Sequence, residues 1–154
     1  MKTAIRLWTR TSLIGITALI GASSLMTSTS AAPGKTPKPF YVKHDREVVK
    51  SEPPPHNGVG QSTAYRYFDE VTDARVIFRK RALHRGAAIG LHVLTHDEVY
   101  YVVSGNGELN VDGQTRSVNA DTAIYMYEGQ DVGIKQLGSD DLVLIISYPP
   151  AVTP

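Results

Sequence analysis

His92, His96 and Glu98 are the residues whose types and spacing are best suited to chemistry. Imidazoles and carboxylates exchange protons near neutrality, and three or four of them brought together hold a divalent metal. In a β-strand alternate side chains share a face, so His92 and Leu94 point the same way. His96 has the parity of His92 and lies two residues before Glu98. Without a metal, His92 reads as a general base or hydrogen-bond anchor in a pocket, or as a buried imidazole bonded to a neighbour. A carboxylate at Glu98 inside a barrel is costly unless it is bonded or faces a cation. Arg79 and Arg81 share strand parity, so an inward arginine paired with Glu98 and outward, solvated arginines both fit the pattern. Tyr100, Tyr125 and Tyr127 read as pocket aromatics for a sugar or aromatic ligand, or as core or interface tyrosines.

Other chemistries are excluded. The chain has no cysteine, so disulfides, thiolate metal sites and Cys nucleophiles are absent. No nucleophile elbow, phosphate-binding loop or dinucleotide fingerprint occurs. The run Arg79-Lys80-Arg81 is split between two strand faces and makes no single basic patch. The formal net charge is +1. Setting aside Lys2, Arg6 and Arg10 leaves 13 basic against 15 acidic residues. That balance gives no case for nucleic acid or an anionic membrane as partner.

The elements that must position these groups begin after an address. Lys2, Arg6 and Arg10 precede an apolar run from Ser12 to Met26 and a stretch of small polar residues to Ala32. This is the layout of a secretory signal over residues 1–31, cleaved after Ala31 in preference to Ala32 because Pro33 directly after a cut is disfavoured. The run is too short and too polar for a spanning helix, and no cysteine follows it for a lipid anchor. A periplasmic or secreted protein with no stable membrane anchor is expected. Residues 32–62, with Pro33, Pro37, Pro39 and the triplet Pro53-Pro54-Pro55, read as an extended lead-in with one short strand at Phe40–Val42.

From Ala64 short β-rich runs alternate with Gly, Asp and Asn. Strands are expected at Ala64–Phe68, Arg75–Leu83, Ala88–Leu94, Glu98–Ser104, Gly107–Val111, Gln114–Val118, Thr122–Tyr127, Gly133–Leu137 and Leu142–Ser147. Asp112-Gly113 suits a type I′ hairpin turn, and Ser104-Gly105-Asn106-Gly107 reads as a second tight turn. No helical periodicity is sustained, so residues 63–150 are expected to form one all-β domain, a barrel or sandwich.

The stretch from Gly86 resembles the first motif of the cupin superfamily. Gly86 is followed by five residues and His92, and Glu98 is separated by six residues from Gly105. Asp97–Leu109 looks like a cupin hairpin throughout. Leu94 stands where the family has its second histidine. In the second motif only Gly129 is kept: Asp121, Tyr127, Val132 and Gln136 stand at the family's Gly, Pro, His and Asn positions. The resemblance implies a double-stranded β-helix, or jelly roll, with a pocket in the barrel mouth. Cupins typically hold one divalent metal there through three histidines and a glutamate, so Fe, Mn, Zn or Ni is the cofactor class implied.

Of those four ligand positions this chain keeps His92 and Glu98, with His96 a candidate third donor. Two histidines and one carboxylate would resemble the facial triad of non-haem iron oxygenases. The pocket residues implied are Leu94, Tyr100, Tyr127, Val132 and Gln136. Two functions follow. One is an exported small cupin that binds a sugar- or acid-like ligand with its metal site incomplete. The other is a metal-dependent enzyme of the dioxygenase, isomerase or lyase class, using His92 and Glu98 with His96 or water. By analogy with the family, a homodimer is among the assemblies allowed.

Overall fold

The computed structural model describes residues 38–151, and the expected signal segment lies outside the described residues. A compact unit starts at Pro39. A single turn of helix, α1 (Asp45–Val48), leads into β1 (Val49–Glu52). β2 (Ser62–Tyr67), β3 (Ile77–Leu83), β4 (Ala88–Val93) and β5 (Glu98–Ser104) follow. Then come β6 (Asn106–Val111), β7 (Gln114–Asn119), β8 (Ala123–Met126), β9 (Asp131–Leu137) and β10 (Leu142–Tyr148). Every strand expected from Ala64 onward is present, with ends within two residues of expectation.

The strands form two antiparallel sheets, one ordered β1-β2-β3-β10-β5-β8 and the other β4-β9-β6-β7. Their inward faces make the core. Along β5 the side chains of Glu98, Tyr100 and Val102 are buried while Val99, Tyr101 and Val103 are exposed, the period of two that one buried face demands. β10 does the same with Leu142, Leu144 and Ile146. Val132 and Ile134 of β9 and Met126 of β8 close the core from the other strands.

The tight turn expected at Ser104–Gly107 is a corner instead of a hairpin. β5 pairs in the larger sheet and β6 in the smaller, so the chain changes sheets at Gly105. A β-carbon there would stand 2.3 Å from the Asp141 carbonyl oxygen, and φ is +82°. Only glycine fits both conditions. Asp112-Gly113 is a true hairpin: both residues have positive φ (51° and 79°), as a type I′ turn requires, and Val111 pairs with Gln114.

The amino-terminal lead-in needs correction. No strand forms at Phe40–Val42. Strand β1 and the turn α1 were not foreseen, and β1 pairs with β2 from Val49↔Tyr65 to Glu52↔Ser62. The sheet therefore begins before the expected boundary at residue 63. The proline triplet, lacking amide donors, still supplies acceptors: the Pro55 carbonyl receives the Gly58 and Gly90 amides at 3.1 and 3.2 Å. Residues 53–58 thus form a strap seated on β4, continued by the bridge Val59↔Ala88.

Candidate functional site

A cavity of about 570 Å³ opens between the two sheets at the end of the barrel crossed by the strap. Pairing places His92 of β4 opposite Val132 of β9. Simple alternation would not turn His92 inward. Ile89 is buried, so a period of two from it would bury Leu91 and expose His92. The register slips between Ile89 and His92, because three steps on β4 match two on β9 (Ile89↔Ile134, His92↔Val132). This β-bulge exposes Leu91 and aims His92 into the cavity, where Leu94 follows it.

His92 Nδ1 lies 2.9 Å from the Gly90 carbonyl oxygen. A carbonyl can only accept, so Nδ1 is the donor and Nε2 is the nitrogen left for other contacts. His56, from the strap, lies flat on the His92 ring with centroids 3.4 Å apart and planes 4° from parallel. Desolvation and then the neighbouring His92 hold the pKa of His56 below its usual value.

Glu98 is only 6% exposed, yet it lines the cavity. Desolvation pushes its pKa up from 4.5 to about 7, with no charged partner opposing. Two residues along β5, Tyr100 is buried beside the same space, and its pKa is also raised, chiefly by burial. Among the described residues no hydrogen bond reaches the Glu98 carboxyl or the Tyr100 hydroxyl, yet neither is a sealed, unsatisfied buried atom. Both therefore open on the cavity.

The wall formed by β2 and β3 is basic. Arg81 faces inward, as one expectation had it, but its partner is Glu52. Its guanidinium donates to Glu52 Oε1 at 2.8 Å and to Ser62 Oγ at 2.7 Å. Arg66 grips the same carboxylate with contacts of 2.9 and 2.8 Å. Burial disfavours the charged form of Glu52, but the hydrogen bonds from Arg66 and Arg81 outweigh it and hold its pKa below the ordinary value. Arg79 pairs with Asp69.

His96 lines the cavity but stacks on Tyr148, with centroids 4.5 Å apart, and contacts Thr95 Oγ1. Among the described residues no three His, Asp or Glu side chains come together as a metal would need. Leu94 and Val132, at the family's ligand positions, have no lone pair to offer. The donor set does not fit a resident ion.

Three expected pocket residues lie elsewhere. Tyr127 is 63% exposed and packs edge-on against Tyr125, 5.0 Å away. Val132 is fully buried in the core and does not line the cavity. Gln136 is a structural clamp: its Oε1 accepts the Gly86 amide at 2.7 Å, and its Nε2 donates to the Leu137, Gly138 and Asp140 carbonyls. Leu94 and Tyr100 are in the cavity lining. His56, Arg66 and Glu52 were missed. A histidine between a proline triplet and Asn57-Gly58 reads only as turn punctuation.

The pairing of His92 with Val132 supports a direct test of register. Cross-strand neighbours have β-carbons about 5 Å apart. The double variant Leu94→His, Val132→His then joins two imidazoles to His92 and Glu98. Calorimetry is expected to show about one Zn(II) or Ni(II) bound per chain with high affinity, far above wild type. An unchanged metal isotherm in a folded variant would show that the positions do not converge.

No protein-family model matches the chain, and no curated protein matches it. Solved structures do. A protein from Thermotoga maritima described as a predicted oxalate decarboxylase superposes with a TM-score of 0.65 at 20% identity, over 71% of this chain and 98% of its own. The polyketide cyclase RemF from Streptomyces resistomycificus gives 0.63 at 20% identity, over 75% and 82% of the two chains. A cupin 2 conserved barrel domain protein from Salinispora arenicola gives 0.59 at 16%, over 75% and 92%. With two antiparallel sheets closing over a cavity and these neighbours, the chain has the fold of the cupins, a jelly-roll barrel.

Proposed function

We propose that this protein is an exported cupin that takes one small polar molecule, of sugar or acid type, into its barrel. The observation that carries this is the pair Glu98 and Tyr100: polar side chains, buried from bulk water, without hydrogen-bond partners among the described residues, and facing a space of small-molecule size. Buried polar groups are otherwise satisfied, and an unsatisfied one costs about 1–3 kcal/mol. A ligand with a donor and an acceptor at these points satisfies both. Ile89, Leu94 and Ile146 provide apolar wall for its carbon body. Export rests on the charged and apolar amino-terminal pattern.

The test is calorimetry of the full chain against glucose, glucuronate, succinate and glycerol. At least one is expected to bind, and the double variant Glu98→Gln, Tyr100→Phe to bind it about tenfold or more weakly. No binding by any probe, or equal binding by the variant, would overturn the reading.

A second reading has its own observation. His92, its Nδ1 held by the Gly90 carbonyl, lies in the same cavity as a carboxyl whose pKa is near 7. That is the composition of a general acid–base site. Among the cupin-fold neighbours are proteins named for decarboxylation and cyclisation. On this reading the bound molecule undergoes proton transfer without a resident metal. Hydrogen–deuterium exchange into a bound probe, lost in His92→Gln, would distinguish it from simple binding.

A further inference from the structure

The cavity is charged unevenly, and the asymmetry selects among the ligands that the proposed function allows. Glu52 is the carboxylate at the β2–β3 wall, and three cations surround it. Arg81 and Arg66 contact it at 2.8 Å, and Lys50 Nζ lies 3.8 Å from Oε2. The other bases of this wall have carboxylates of their own: Arg79 pairs with Asp69, which also acts at longer range on Arg66, and Lys80 pairs with Asp45. Glu98 does not compensate, since no ion pair joins it to Arg81 among the described residues, and Tyr100 stands on the strand face between them. Arg81 and Glu52 are largely buried, with side chains 12% and 14% exposed, so water screens their charges weakly. Lys50 is 66% exposed and is met by water, so the uneven charge is that of two guanidiniums sharing the single carboxylate they both contact. Arg66 and Arg81 line the cavity, while Glu52 is not part of its lining.

We propose that this arginine pair, braced from behind by Glu52, is the recognition site for the carboxylate of a small organic acid whose polar far end meets Glu98 and Tyr100. A guanidinium presents paired N–H donors in the plane that a carboxylate fills, and such charge-assisted contacts are the strong ones. Arg81 is also positioned by Ser62, whose own hydroxyl donates to the Glu52 carbonyl oxygen at 2.7 Å. The guanidinium is thus held before any ligand arrives. The apolar residues between the two polar ends favour an organic acid over a bare inorganic anion, which would leave them facing water. This inference rests on the proposed function and narrows it from sugars or acids to acids.

The experiment compares matched probes on the full chain by calorimetry: glucuronate with glucose, succinate with succinamide, and inorganic phosphate alone. The acids are expected to bind at least about tenfold more tightly than their neutral counterparts. Arg66→Gln should reduce that advantage about fivefold or more. Arg81→Gln leaves Glu52 partly buried with a partner lost, so the double variant Glu52→Gln, Arg81→Gln accompanies it to preserve folding, and it should show the same loss. Acids and neutral counterparts binding equally would overturn the carboxylate site while leaving the ligand cavity standing. Phosphate binding as tightly as the organic acids would overturn the choice of ligand class. Binding by no probe would remove the cavity reading and this one with it.

Discussion

Replacing Glu98 by glutamine is expected to abolish a loss of stability that the wild-type protein suffers between pH 4.5 and pH 8. The carboxyl is buried and has no partner among the described residues, and desolvation raises its pKa from 4.5 to about 7. In the unfolded chain it titrates at its ordinary value. Below pH 4.5 it is protonated in both states, and its contribution to stability is fully present. As pH rises toward 7 the unfolded chain releases the proton and the folded chain does not, so folding becomes progressively less favourable. Above pH 7 both states are ionised and the loss is complete. A shift of this size corresponds to about 3 kcal/mol. Urea unfolding at pH 4.5, 6 and 8 should therefore show the glutamine variant gaining about 3 kcal/mol on wild type across that range. A pH-independent difference would mean that Glu98 has a partner or reaches bulk water.

Gly90→Ala is expected to destabilise the protein by about 3 kcal/mol and to unseat the strap. A β-carbon at position 90 would lie 1.8 Å from the His56 carbonyl oxygen, 2.9 Å from its carbonyl carbon and 3.1 Å from the Gly58 amide nitrogen. All three are backbone atoms, so no rotamer change relieves the clash. Two further features add to the cost. His56 and Asn57 both hold positive φ, 59° and 55°, and depend on their surroundings to stay there. The Gly90 amide also donates to Pro55, a bond that is lost if the strap lifts. Urea unfolding measures the stability. The His56 and His92 ring resonances report the stack, and both should move toward solvent-exposed values. Unchanged stability with unchanged ring shifts would show that the strap does not lie on β4.

The strands were legible because one face of each is buried. In Glu98–Ser104 inward Glu98, Tyr100 and Val102 alternate with exposed Val99, Tyr101 and Val103, a pattern with one solution. β1 carried no such signal: in Val-Lys-Ser-Glu the first three residues are exposed and only Glu52 is partly buried, so pairing with β2 makes it a strand. The hairpin at Asp112-Gly113 could be read from its residues. The corner at Gly105 could not, since a glycine turn looks the same whether the chain stays in its sheet or leaves it. His92 and Glu98 were found through motif spacing. The bulge that turns His92 inward is invisible to that spacing, because an extra residue on one strand has meaning only against its partner. Gln136 was misplaced for the same reason, since motif position fixes distance along the chain but not depth in the barrel. Glu52 and Arg66 meet Arg81 across the β2–β3 wall, and His56 reaches His92 over the strap. These are contacts between elements separated in sequence.

Ligand capture in the barrel depends on a carboxyl that is buried from bulk water, unpaired among the described residues, and open to the cavity. Carbon-13 NMR of protein labelled at glutamate, with Glu98→Gln used to assign the signal, follows that one group directly as pH is raised from 3 to 9. The Glu98 side-chain carbonyl is expected to titrate with a midpoint of about 7, and to move when an acid probe saturates the barrel. A midpoint near 4.5, indistinguishable from the exposed glutamates and unmoved by any probe, would contradict it.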